Sequence, residues 1–147
     1  MPQHPWLVAG GCLSALGGLL HLAVIAGGPA WYRFFGAGES MARMAERGSA
    51  TPALITLAIA TLLAVWAAYA FAGAGLLRRL PLMRTALLAI TAIYLLRGLL
   101  LFPALAVNPD QVDAFMVWSS LIVLVYGITY AIGTWRAWPE LSRSRHA

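Results

Sequence analysis

The chain has 147 residues, of which 61% are hydrophobic and only 10% are charged. This length suits one domain, but a soluble domain is nearer half apolar and a quarter charged. A water-soluble fold of this size cannot hide so much apolar surface, so the composition predicts a protein surrounded by lipid. The net charge is +5, and the basic residues lie beside apolar segments. We therefore assign the charge to the bias of membrane loops and expect no nucleic-acid partner.

The residues that usually carry catalysis or bind metals are sparse. The single cysteine, Cys12, excludes an internal disulfide and paired-cysteine chemistry. His4 and His146 lie near the chain ends, which argues against paired haem ligation and histidine-rich metal centres. The sequence has no Gly-x-Ser-x-Gly elbow, phosphate-binding loop or dinucleotide fingerprint. We therefore predict no catalytic residue, no metal and no cofactor.

Four apolar stretches are long enough to cross a bilayer, which takes about 20 helical residues. They run from about Trp6 to Gly27, Pro52 to Gly73, Leu82 to Pro103 and Val112 to Trp135. Two of them follow a capping residue and a proline, which is typical of helix starts. The capping sequences are Thr51-Pro52 and Asn108-Pro109-Asp110. The sequence thus predicts an all-α fold, a four-helix transmembrane bundle that forms a single integral membrane domain over residues 1–147.

Arginine placement predicts the orientation. Four spans put both termini and the loop from Ala74 to Pro81 on one side of the membrane. That side carries six arginines and the opposite side three: Arg78, Arg79, Arg84, Arg136, Arg143 and Arg145, against Arg33, Arg43 and Arg47. All basic residues are arginine and alanine is abundant, which is typical of a GC-rich bacterial genome. We expect a multi-pass protein of the bacterial inner membrane with both termini in the cytoplasm.

The segment from Glu39 to Arg47 has the pattern of a short amphipathic helix between the first two spans. Its apolar and charged residues fall on opposite faces, and Glu39 and Arg43 form an (i, i+4) pair in the favourable order. We expect this helix on the outer membrane surface or as a lid over the bundle there. The alternative is a solvated loop.

Arg97 interrupts the third apolar stretch and is the most informative residue. Arginine near the bilayer centre costs about 2.5–3.5 kcal/mol on insertion scales. Arg97 lies about 18 Å along the helix from Thr85, in the half nearer the outer side. Two interpretations stay open: its stem lies in lipid while its head reaches outer water, or its head faces the bundle. In the second case it pairs with an acid or binds an anionic or carbonyl-bearing ligand.

Polar and aromatic groups of all four helices are expected at the same depth as Arg97. We predict a ligand-binding pocket, open to the outer side, whose residues are Arg97, His21, Tyr94, Trp118, Ser119, Glu39 and Thr56, with Ser120 at matching depth. Glu39 is the expected counter-ion of Arg97, and Asp113 is the alternative. A lone histidine such as His21 is also typical of a hydrogen-bonded structural residue.

Small residues recur at spacing four in two spans, where they favour close helix packing. They are Gly10, Ser14 and Gly18 in the first span, and Ala60, Ala64, Ala68 and Ala72 in the second. These stripes suit packing within the bundle or contact with a second chain.

A first span that ends in Leu20-His21-Leu22, the run GPAWYRFFGAGE from Gly28 to Glu39, and three further spans resemble small bacterial four-helix membrane proteins. These are the DoxX-like proteins and related uncharacterised families. The resemblance covers most of the chain as an architecture and implies a loose link to membrane redox complexes. It implies no residue role.

Three functions fit these observations. The first is binding of a small lipophilic, lipid-like or anionic ligand in the outer-facing pocket. The second is an accessory subunit whose alanine and glycine stripes pack against a larger membrane complex. A homo-oligomer is the other assembly that these stripes suit. The third is an enzyme acting on a lipid-soluble substrate, with His21 as the acid–base group. All three include membrane lipid as a partner.

Overall fold

The computed structural model describes residues 4–142, and all regular structure in this range is helical. The elements are α1 Pro5–Phe34, α2 Glu39–Glu46, α3 Thr51–Gly73, α4 Met83–Leu99, α5 Leu101–Val107 and α6 Ala114–Leu141, with a 3₁₀ turn at Pro109–Gln111. Four segments are long and apolar enough to cross a membrane: α1, α3, α4 together with α5, and α6. The predicted all-α fold with four long apolar helices is confirmed, and the chain is a multi-pass membrane protein.

A kink divides α1 close to its predicted end. Gly28 has φ 67° and ψ −151°, a conformation that side chains with a Cβ rarely adopt, and Pro29 follows it. Because proline has no N–H to continue the hydrogen-bond ladder, the Gly-Pro pair ends the first part of the helix. The chain then forms one further helical segment up to Phe34.

The third and fourth spans both differ from the predicted boundaries, and the fourth runs from Ala114 to Leu141 rather than from Val112 to Trp135. Pro103 has no N–H to donate to the carbonyl of Leu99, so the helix is interrupted at Leu100 and resumes as α5. The third span therefore continues to Val107. The prediction that Asn108 caps the fourth helix is wrong. Instead Asp113 is the cap, and its carboxylate accepts a hydrogen bond from the Met116 N–H at 2.7 Å.

The chain forms two compact units, residues 4–13 with 66–142 in the first and residues 14–65 in the second. Segments of all four long helices pack together in the first unit. A Cβ on Gly98 would lie 2.8 Å from Leu124 Cα, and a Cβ on Gly127 would lie 2.9 Å from Leu95 N. The backbones of α4 and α6 thus approach as closely as glycine allows, which is how helices associate in lipid.

Small residues of the predicted stripes also contact other helices of the same chain. In the first unit, a Cβ on Gly10 would lie 2.9 Å from the ring of Tyr130. In the second unit, a Cβ on Gly18 would lie 3.3 Å from the Ala60 carbonyl oxygen. Ala64 is exposed, so the alanine stripe is only partly buried. These contacts favour packing within the chain for Gly10 and Gly18.

Three contacts bring the start of α1, the α3–α4 loop and the end of α6 together in the first unit. His4 Nε2 lies 2.9 Å from Glu140 Oε2, and Arg79 donates to the Glu140 carbonyl. The Arg84 guanidinium lies 3.9 Å from the centroid of the Trp138 ring. We call this the terminal end of the unit. Four membrane crossings place the first helix start, the second loop and the last helix end on the same side, and these are the segments that meet here.

In the second unit, α2 packs against the end of α1. Val24, Tyr32 and Ala42 form a buried cluster, and Phe35, Met41 and Ala45 pack around it. The apolar face of α2 is thus covered by α1, while its charged face is exposed. The alternative of a solvated loop is wrong.

Replacing Gly98 with alanine should destabilise the first unit, because the new Cβ would meet Leu124 backbone atoms that cannot move independently. The expected loss is about 1–3 kcal/mol, as for other overpacked interiors. Ala92→Val adds more atoms at an exposed position of the same helix and should change stability by less than about 0.5 kcal/mol. SDS titration in mixed micelles measures both. Equal midpoints for Gly98→Ala and the native protein would contradict the close contact.

Candidate ligand-binding site

Arg97 lies near the middle of the third span. Met83–Val107 contains 25 residues, and Arg97 is about 15 Å from its Val107 end. The continuation of the helix past Pro103 makes this distance longer than the sequence indicates. The guanidinium therefore lies deep in an apolar segment, where a polar partner lowers the free-energy cost of the charge most.

The Arg97 side chain is exposed, but its head is directed at the neighbouring helix. Arg97 Nη1 donates to Ser120 Oγ at 2.9 Å, and Ser120 is only 1% exposed. Successive residues of a helix are separated by about 100°, which places Arg97 at the edge of the buried face of α4. On one side of Arg97, the residues one or two turns away are buried: Ile90, Tyr94 and Leu101. On the other side, Ile93 and Leu100 are exposed. The head of Arg97 therefore faces α6, as the second interpretation predicts, while part of its side chain is exposed outside the bundle.

The guanidinium keeps hydrogen-bonding capacity beyond the bond to Ser120. Arginine has five N–H donors in a planar fork that matches carboxylate and phosphate oxygens. Among the described residues of the first unit, no carboxylate pairs with Arg97. Asp113, the alternative counter-ion, instead caps α6. The arrangement therefore suits an anionic group or a carbonyl supplied by a ligand.

Tyr94, one turn from Arg97, belongs to an aromatic cluster within the first unit. Its ring centroid lies 4.9 Å from that of Trp66 and 5.4 Å from those of Tyr126 and Tyr130. The Tyr130 hydroxyl donates to the Trp66 carbonyl at 3.1 Å. Tyr94 is thus a packed core residue beside the site. The (i, i+4) spacing of Tyr126 and Tyr130 was the signal for this cluster, and sequence reasoning missed it.

Trp118 and Ser119 lie on α6 near Ser120 but are oriented differently. Trp118 is 67% exposed, and it stands about 200° around the helix from Ser120. The Ser119 hydroxyl donates to the Met116 carbonyl of its own helix at 3.2 Å. The structure therefore brings Ser120, rather than Ser119 or Trp118, to the guanidinium of Arg97.

His21 and Thr56 belong to the second unit, and each hydrogen-bonds to its own helix. His21 Nδ1 lies 2.7 Å from the Gly17 carbonyl oxygen. The Thr56 hydroxyl donates to the Pro52 carbonyl at 2.8 Å and lies 3.5 Å from the Tyr32 hydroxyl. Such bonds satisfy polar groups on an apolar helix and agree with the structural interpretation of His21.

Glu39 is bound by two arginines of the second unit. Arg33 Nε and Arg43 Nε lie 2.7 Å and 3.0 Å from its carboxylate oxygens, which confirms the predicted (i, i+4) pair with Arg43. Arg33 also lies 2.8 Å from Glu46, so it joins both ends of α2 to the end of α1. Hydrogen bonds from Arg33 and then Arg43 lower the pKa of Glu39 to about 2.

Comparison of the chain with protein-family models, with curated proteins and with solved structures finds no match. The resemblance to DoxX-like proteins therefore stays a prediction. Among the residues that the structure describes, no group of three or more His, Cys, Asp or Glu side chains is placed to hold a metal ion.

Removing the Ser120 hydroxyl should destabilise the protein, because Arg97 would lose its acceptor on α6. Ser120→Ala is expected to cost about 1.5–3 kcal/mol, the range for a hydrogen bond to a charged group. Ser119→Ala is the matched control, since Ser119 bonds only within its own helix turn. Unfolding by SDS in mixed micelles compares the two. Equal effects of both substitutions would contradict the assigned role of Ser120.

Acid should weaken the attachment of α2 to α1, because the Arg33 and Arg43 contacts require an ionised Glu39 while the apolar cluster around Ala42 does not. The folded-state pKa of about 2 lies below the ordinary value of 4.5. The stabilisation is therefore complete above pH 4.5 and is lost as the pH falls through about 2. Hydrogen-exchange protection of α2 amides, corrected for intrinsic rates, should follow this window.

Glu39→Gln should lower the protection of α2 at pH 7 and weaken its loss in acid. Glu46→Gln removes one Arg33 contact but keeps the Glu39 pairs, so the acid transition should persist. Native protection in Glu39→Gln at pH 7 would show that these ion pairs do not hold α2.

Proposed function

We propose that this protein binds an anionic or carbonyl-bearing, lipid-like molecule at Arg97 and Ser120. The supporting observation is a guanidinium near the middle of an apolar span with one neutral hydrogen-bond partner on the next helix. A mid-span arginine costs about 2.5–3.5 kcal/mol to insert. One hydrogen bond to a charged group returns about 1.5–3 kcal/mol of this cost. The bond to Ser120 uses one of the five N–H groups of Arg97, and among residues 4–142 the other four have no partner in the apolar surroundings. An anionic ligand would solvate them.

The surroundings of Arg97 favour an amphiphile over a small hydrophilic anion. Ile93 and Leu100 flank the guanidinium one turn away in each direction, and both are exposed. Their side chains offer an apolar surface beside the polar head of Arg97. A ligand with a carboxylate at the end of an acyl chain matches both parts and can enter sideways from the bilayer.

We further propose that the membrane is a bacterial inner membrane with the terminal end in the cytoplasm. The arginine excess of that side supports this orientation. The α2 helix would then lie at the outer surface, with its charged face in water. We also propose a relation to DoxX-like proteins, for which the four long apolar helices are the supporting observation.

Oleate and oleyl alcohol test the site, because they share a chain and differ in the carboxylate. The native protein in nanodiscs should bind tritiated oleate at least tenfold more tightly than oleyl alcohol, since a charge-assisted bond contributes more than about 1.4 kcal/mol. Arg97→Leu should abolish this preference while the protein stays folded.

Arg78→Gln is the matched control, because Arg78 is an exposed arginine of the α3–α4 loop. It should leave the oleate preference unchanged. Native oleate affinity in Arg97→Leu, or an equal loss in Arg78→Gln, would overturn the proposed function.

A further inference from the structure

Arg84 is an exposed arginine at the terminal end of the first unit. Arg84 stacks on Trp138, with its guanidinium carbon 3.9 Å from the ring centroid. Within residues 4–142, no protein acceptor receives a hydrogen bond from its side chain. A stacked guanidinium is held in position by the ring face while its N–H edge stays available. That edge is a preformed donor site.

The charge around Arg84 favours an anion. Arg78, Arg79 and Arg136 lie on the same end, and Arg136 is 6.0 Å from the Trp6 ring centroid. Glu140 is the acidic residue of this end in the described chain, and its carboxylate contacts His4. Its carbonyl accepts from Arg79. Within residues 4–142, the Glu140 carboxylate of this end is thus paired with His4 of α1's start, and no ion pair joins it to Arg84.

The α3–α4 loop places exposed apolar side chains beside these arginines. The Tyr69 hydroxyl donates to the Pro81 carbonyl at 3.2 Å and fixes the loop. Leu82 follows with φ 53° and a side chain that is 77% exposed. Trp135, one turn before Trp138 on α6, is 82% exposed. Arginine next to exposed tryptophan and leucine is the arrangement expected where phosphates meet acyl chains.

We propose that Arg84 and Trp138 bind the phosphate of an anionic phospholipid from the surrounding leaflet, with Leu82 and Trp135 against its acyl chains. This site is separate from the one at Arg97, since 13 residues of α4 place the two arginines about 20 Å apart. The exposed Leu82 and Trp135 favour a lipid over a free anion, because a hydrophilic ligand leaves both side chains unused.

Spin-labelled phosphatidylglycerol and phosphatidylcholine, reconstituted with the full chain, measure the preference for an anionic headgroup. Arg84→Gln should lower the relative association of phosphatidylglycerol about fivefold, the effect of one arginine near an anionic surface. Trp138→Leu keeps the charge but removes the platform, so it should lower the preference by a smaller factor. Arg84→Lys keeps the charge but loses the planar guanidinium, so it should retain only part of the preference. This variant tests the site if Arg84→Gln does not fold.

Arg47→Gln is the control, because Arg47 is an exposed arginine of the second unit at the end of α2. It should keep the native preference, and excess inorganic phosphate should displace little phosphatidylglycerol. Native selectivity in Arg84→Gln, an equal loss in Arg47→Gln, or displacement by inorganic phosphate would each overturn the phospholipid site. Arg97→Leu should leave this selectivity unchanged, so failure here is distinguishable from failure of the oleate site.

Discussion

Backbone contact between α4 and α6 sets the geometry on which both arginine sites depend. Gly98 meets Leu124, and one turn toward the terminal end Leu95 meets Gly127. The same antiparallel register, continued along the two helices, brings Arg84 onto Trp138. Toward the other end it leaves Arg97 within reach of Ser120. Because lipid provides little hydrophobic drive between helices, these glycines allow the van der Waals contact that holds the register.

The architecture could be predicted because hydrocarbon requires every backbone group of a span to bond within its own helix. The α3 span agrees to within one residue of the predicted start. The α4–α5 span was harder, because a proline interrupts the ladder without ending the segment. The choice between Asn108 and Asp113 as the cap of α6 depends on how the intervening 3₁₀ turn folds. Hydropathy does not contain that information.

Sequence reasoning predicted the depth of the site residues along their helices better than the side of the helix from which each side chain projects. The cost of burying a charge identified Arg97, and depth alone grouped it with three consecutive residues of α6. One residue changes the direction on a helix by about 100°, so only Ser120 of the three meets the guanidinium. Pairs within one helix could be predicted from their spacing, as the (i, i+4) pair of Glu39 and Arg43 shows. The Arg33 contacts depend on the turn at Gly36 and Gly38, both with positive φ.

Arg97 and Arg84 share a chemical feature and differ in depth. Each guanidinium is held by one neighbour on α6, through a hydrogen bond or a ring face, and each keeps N–H donors for another partner. Near mid-span, the only anions that reach Arg97 are those carried by an apolar body. At the terminal end, the headgroup phosphates of ordinary lipids lie at the height of Arg84. The depth of each arginine in the bilayer, more than its immediate contacts, therefore determines which ligand it can bind.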